Sequence, residues 1–338
     1  MRCGAILRKV STPIPLVQTR AAVFGCLAFV LSGLSGAQSE YPNRPVRMVT
    51  PTGAGGSLDW MTRVLAQRLG EAMRQQFIVD NRPGGGGMIG TGAVVKAPPD
   101  GYTLLSTSNG VFSTTQAMFK SVPYDPVRDL AKIVLVGATP YVLVAHPSLP
   151  AKDVRSFIHL AKARPKEIHF SIAGIGGTPH LATELLNGLA DIRTVTVPYR
   201  TSAQAISGVI GGETSVMLTG AASVMPLISA NRLRALGVAS ERRLSLLPSI
   251  PTISEQGISG YEASSWAGLM APSATPESVI ATLNAHTLRL LQTPDTRELF
   301  RNQGMEILGS TPEQFAAFAR NEVAKWTRVV RNAGIVGG

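Results

Sequence analysis

"TPTGAGGSLDWMTR", residues 50–63, sets Gly53, Gly55 and Gly56 between the apolar run "VRMVTP" (46–51) and the helical pattern "SLDWMTRVLAQRLGEAM" (57–73). A strand, a glycine-rich turn and a helix in that order open a βαβ unit. The helix is expected to put Trp60, Val64, Leu65 and Leu69 on one face. Downstream come "QFIVDNRPGGGG", a second helix around "MIGTGAVVKA" and the run "YTLLSTS". A further series begins at "AKIVLVGATPYVLVAHP" and alternates "DVRSFIHLAKA", "EIHFSIAG", "PHLATELLNGL", "TVTVPYR", "SAQAISGVIGG", "TSVMLTG", "ASVMPLISA" and "LRALGVAS". Two helical stretches, "PESVIATLNAHTLRLLQ" and "PEQFAAFARNEVAKWTRVVRNA", form the tail. The alternation predicts an α/β fold with a mostly parallel sheet. No low-complexity tract parts the two series, so a domain boundary is expected to be a strand crossover and not a flexible linker.

The chain has 338 residues, 44% of them hydrophobic, enough for two domains with cores of their own. Residues 1–37 differ from the rest. Their only charges are Arg2, Arg8, Lys9 and Arg20, followed by the apolar "AAVFGCLAFVLSGL" and by small residues at Ser35 and Ala37. This pattern predicts a secretory signal peptide cut before Gln38. The apolar run is shorter than the ~20 residues of a membrane-spanning helix, and Phe24 is too bulky for a lipid-anchor signal at Cys26. Removing the presequence leaves 28 basic against 21 acidic residues, a net charge of about +7 that is scattered along the chain. Such a surface suits solubility and weak attraction for anions, and offers no footprint for nucleic acid. Both cysteines, Cys3 and Cys26, lie in the presequence, so the mature chain has no disulfide, thiol nucleophile or cysteine metal ligand.

Sliding the chain by 121 residues lays Gly53-Ala54-Gly55-Gly56-Ser57 on Gly174-Ile175-Gly176-Gly177-Thr178, Asp59 on His180 and Thr62 on Thr183. Each copy follows an apolar run and precedes an amphipathic helix, with Ser57 or Thr178 expected as N-cap. Two helix starts of this kind offer unpaired backbone N–H groups at the positive ends of helix dipoles, and so bind anions. A P-loop needs a Gly-Lys-Ser/Thr that is missing here, and a dinucleotide fingerprint needs a third glycine where Leu58 stands. A small carboxylate, held by backbone donors with Ser57 and Thr178, fits better than a nucleotide. His180 and Glu184 sit four apart, but "HLATE" lacks the second histidine of a zinc protease; no G-x-S-x-G elbow or glycosidase carboxylate pair stands out. The chain is therefore not expected to be an enzyme or to hold a metal or cofactor. Asp59 and His180 are each open to two readings, ligand contact or support of the helix start.

The sequence resembles the Bug-type extracytoplasmic receptors, the solute-binding proteins of tripartite tricarboxylate transporters. The resemblance rests on "YPNRPVRMVTPTGAGGSLD", "VDNRPGGGGMIGTGAVVKAPPDGYTLL", "SIAGIGGTPHLATELL", "VPYR", "LRALGVAS" and "LPSIPTISEQGISGYEASSWAGLMAP", in order along the mature chain. It implies a two-lobed periplasmic-binding-protein fold of type II (Venus flytrap), hinged between lobes, with residues 38–140 and 256–338 in lobe 1 and 141–255 in lobe 2. It also implies a periplasmic, monomeric receptor that binds a small carboxylate and meets the membrane subunits of a tripartite transporter. Carried onto this chain, the ligand is expected at Thr52, Gly53, Ala54, Gly55, Gly56 and Ser57, with Asp59 beside them. Ser108 and Asn109 line the first lobe. In the second lobe the expected contacts are Ala173, Gly174, Gly177, Thr178 and His180, joined by Pro198, Tyr199 and Thr219. The family usually has an aromatic residue and a second proline in the first turn, where this chain has Thr52 and Gly53. It often has Lys-Gly after Pro-Tyr, where Arg200-Thr201 stand, and an acid is common near Thr219, whose loss weakens the case for an amino-acid ligand. A ligand-presenting sensor module and an exported enzyme on the same fold are the alternatives.

Overall fold

The computed structural model describes residues 41–119 and 121–335 together with Met1; the expected signal peptide, its cleavage point and both cysteines lie outside the described residues. The first series forms β1 (Val46–Thr50), α1 (Ser57–Met73), β2 (Phe77–Asn81), α2 (Met88–Val95), β3 (Thr103–Ser108) and α3 (Asn109–Met118). A 16-residue strand, β4 (Leu130–Ala145), leads into α4 (Val154–Ala163), β5 (His169–Ala173), α5 (Thr178–Ala190), β6 (Val195–Tyr199) and α6 (Ser202–Ile210). Then follow β7 (Val216–Gly220), α7 (Ala221–Ser229), β8 (Arg234–Val238) and β9 (Ser264–Pro272). The tail holds α8 (Glu277–Gln292), α9 (Pro294–Asn302), the short β10 (Glu306–Ile307) and α10 (Pro312–Ala333). None of the described helices is long and apolar enough to cross a membrane.

The strands run in the order β2-β1-β3-β9-β4-β7-β5-β6, with β8 and β10 also pairing with β4. At the two ends the ladders are parallel, β1 with β2 and β3, and β5 with β6 and β7. At the centre β4 and β9 run antiparallel to every neighbour. The sheet is thus mixed, which corrects the expectation of a mostly parallel one. The reason is topological: β4 carries the chain from the β1–β3 ladder to the β5–β7 ladder and β9 returns beside it, so the two lie side by side in opposite senses. β4 pairs with β9 from Leu130↔Pro272 to Pro140↔Ser264, then with β7 from Tyr141 onward. Its β-branched "IVLV" and "YVLV" runs are buried on both faces, as a central strand requires.

One further expectation is refined. The buried face of α1 is Leu58, Met61, Leu65, Ala66 and Leu69, at helical spacing, while Trp60 and Val64 are only half-buried. Trp60 instead meets the tail, its ring 5.5 Å from that of Phe300 on α9. Helix α10 starts from a capping box, Thr311 with Gln314, and joins two cores: Phe315 and Ala319 pack around Trp266, while Trp326, Val329 and Val330 pack with Phe157, Phe170 and Leu181. Between them the buried Glu322 accepts the indole N–H of Trp266 at 2.7 Å and of Trp326 at 2.8 Å, and pairs with Lys325. A carboxylate this deep is tolerable only because its oxygens are bonded.

Candidate ligand-binding site

Each glycine turn is closed in the same way. Gly55 (φ +85°) and Gly176 (φ +75°) occupy the left-handed region that favours glycine. The Gly55 N–H donates to Asp59 Oδ2 at 2.9 Å, and the Gly176 N–H to His180 Nδ1 at 2.9 Å. Four residues further, Arg63 Nε lies 3.0 Å from Asp59 Oδ2, and Glu184 Oε1 lies 3.8 Å from His180 Nε2. The match at 121 residues is therefore a match of backbone device, with an acid backed by arginine in the first turn and a histidine backed by an acid in the second. Thr62 and Thr183 repeat it too, each donating to the carbonyl four residues back, of Leu58 and Pro179.

The electrostatics of the two supports differ. Hydrogen bonding to Arg63 holds the buried Asp59 carboxyl down to about 2 against the cost of burial, helped by the Gly55 N–H and by Asn81 Nδ2 at 2.9 Å. Burial lowers the His180 pKa, so the ring is neutral and Nδ1 is free to accept from Gly176; burial also raises Glu184. Both residues thus shape their turns. The N-caps are Gly56 and Gly177, with no side-chain cap; Ser57 and Thr178 are the first helical residues, which corrects the expected capping. With glycine at the cap and its neighbours bonded to Asp59 or His180, the hydroxyls are spared for other partners.

A cavity of about 850 Å³ opens above the crossing strands. From the first lobe Thr52, Gly53, Ala54, Gly56 and Ser57 line it, with Leu58 and Ser108. Thr219 lines it at the end of β7. Other residues expected at the ligand stand behind this wall. Gly55 and Asp59 are locked to each other; Asn109 is buried, its Nδ2 donating to the Ser264 carbonyl at 2.6 Å. Ala173, Gly174, Gly177, Thr178 and His180 do not reach the lining, which α5 touches through Pro179. Pro198 is exposed, and the Tyr199 hydroxyl donates to Glu213 Oε2 at 3.0 Å, away from the cavity.

The structure adds residues that sequence reasoning did not single out. Thr139 and Tyr141 from β4 meet Ser265 and Ala267 from β9 in the lining. Tyr141 is buried, and that burial raises its pKa, keeping the phenol protonated. Ser202 and Ser223 come from the starts of α6 and α7, and Asn302, Gln303 and Met305 from the end of α9. No local signal marks them, because only the crossover brings them together. Among the described residues the lining contains no charged side chain, yet the first turns or caps of α1, α3, α5, α6 and α7 all border it. The dipoles and first-turn N–H groups at these five starts favour an anion and fix no ammonium, although Thr201 already accepts from Gln204 N at α6 and Asn109 Oδ1 from Gly110 N at α3. Among the described residues no group of three His, Cys, Asp or Glu is placed to hold a metal ion.

The profile of the Tripartite tricarboxylate transporter family receptor (TctC) matches residues 61–335. The chain belongs to that family. It is 37% identical over 295 residues to the protein BugT of Bordetella pertussis, covering 87% of this chain and 90% of BugT. Rpa4515 of R. palustris, solved with adipate, superposes with a TM-score of 0.74 at 32% identity, over 88% of this chain and 100% of its own. The periplasmic binding protein BugD gives 0.70 at 31% identity, over 88% and 100%. These structures give the chain the two-lobed periplasmic-binding-protein fold, and the family is one of solute-binding receptors, not of enzymes.

Proposed function

We propose that this receptor captures a small organic carboxylate between its lobes in the periplasm and hands it to the membrane subunits of a tripartite tricarboxylate-type transporter. The observation that carries the reading is the cavity wall: five helix starts and, among the described residues, no charged side chain. Backbone donors bind a carboxylate there without the desolvation of a buried arginine or lysine. The adipate held by Rpa4515 is a ligand of the same class. The ligand carboxylate lies against the 53–57 turn, Ser108, Thr219 and the Pro179 end of α5, and the second turn supports α5 from behind. Residues 38–140 and 256–338 make one lobe and 141–255 the other; β4 changes partners between Pro140 and Tyr141. Closure is a rotation of the lobes about the β4 and β9 crossings.

Thermal unfolding with a panel of carboxylates tests this reading. A ligand bound only by the native state at about a hundred times its Kd adds ~2.7 kcal/mol and raises Tm. At least one carboxylate is expected to do so and ATP is not. A rise with ATP and none with any carboxylate overturns the proposal.

A further inference from the structure

The wall built by residues 302–305 has a character of its own. Asn302 and Gln303 are the last residue and C-cap of α9, and both are exposed to the cleft. A helix C-terminus presents the negative end of its dipole. The two carboxamides both donate and accept hydrogen bonds, as do the nine hydroxyl side chains of the lining. The cavity, at about 850 Å³, is far larger than a short dicarboxylate fills.

We infer that the ligand carries a single carboxylate and an uncharged, polyhydroxylated remainder, as an aldonic acid does, with Asn302 and Gln303 selecting the hydroxylated end. This rests on the carboxylate-receptor reading above. A second carboxylate at this wall meets the negative end of α9, whose one last-turn cation, Arg301, is exposed and stands outside the lining. An ammonium finds no counter-charge in the lining, and an aromatic ring finds only Tyr141 to pack on. Hydroxyl groups match the wall because each side supplies donors and acceptors; an aliphatic chain displaces water from the two amides without replacing its hydrogen bonds.

Titration calorimetry on the mature chain with three six-carbon acids separates these classes: D-gluconate, adipate and hexanoate. Gluconate is expected to bind tighter than either by at least about tenfold, or ~1.4 kcal/mol. The double variant Asn302→Leu, Gln303→Leu is expected to lose about tenfold for gluconate and to hold hexanoate unchanged or tighter. The single variant Gln303→Met, close in volume, loses less in the same direction, and circular dichroism reports that each variant is folded. Adipate or hexanoate binding as tightly as gluconate overturns the inference and leaves the receptor reading standing, as does gluconate binding that the leucine variants do not change. A flat response to all three acids and to the wider carboxylate panel overturns both.

Discussion

The two glycine turns share a backbone and differ in what holds it. In the first, Asp59 is a permanent anion fixed by Arg63 and Asn81, and Gly55 is exposed. In the second, His180 is a neutral ring beside Glu184, and Gly176 is buried. The first turn also lines the cavity, whereas the second reaches it only through Pro179. One geometric requirement, an acceptor for the N–H of a left-handed glycine, is met by two chemistries. The choice decides how each turn responds to solvent, to pH and to substitution.

The sharpest test of the division of labour is a pair of valines. Gly56 has ordinary dihedrals, with φ −82°, and no atom within 4 Å of an added Cβ, so valine there fills ligand space and leaves the fold intact. Gly56→Val is expected to raise the ligand Kd by at least about tenfold with little change in Tm. At Gly177 an added Cβ meets the Ala173 carbonyl oxygen at 3.2 Å, so Gly177→Val is expected to lower Tm first. Calorimetry beside thermal melts reads both, and the reverse pattern breaks the comparison.

Removing the supports gives the next effect. His180→Ala leaves the buried Gly176 N–H without its acceptor and is expected to cost about 1–3 kcal/mol in urea unfolding. Asp59→Ala, although it dissolves an ion pair, is expected to cost less, because the exposed Gly55 N–H and Arg63 turn to water. A larger loss at Asp59 would mean that its bonds to Asn81 organise the turn.

The smallest effect is in pH. The folded pKa of His180 is depressed below 6.5, so its stabilising contribution is present above 6.5 and lost as pH falls from there through the lower folded pKa. Asp59, at about 2 in the fold against 3.8 unfolded, contributes above 3.8 and loses its effect only as pH falls toward 2. The fall in Tm between about pH 7.5 and about pH 5.5 is expected to be shallower in His180→Asn, which keeps an acceptor but cannot titrate, with Glu184 present in both proteins. Equal slopes would remove His180 as the source.

The sequence by itself determined the βαβ grammar, the ends of α1 and the repeated turn, because these depend on residues near one another in the chain: glycines that accept positive φ, an acceptor four residues on, and apolar spacing of period 3.6. It also carried the family, through motifs strung along the whole mature chain. It did not reveal α3, whose "NGVFSTTQAM" is rich in residues of weak helix propensity, or β9, whose "SSWAGLMAP" has no alternating pattern because it is mostly buried. The capping expected of Ser57 and Thr178 failed because Asp59 and His180 close the turns first. Only the tertiary structure decided the central antiparallel crossing and the composition of the cavity. Thr139, Tyr141, Ser265 and Gln303 lie far apart in the chain and meet because β4 leaves one lobe beside the strand that returns to it. That meeting is a property of chain path, which no local pattern encodes.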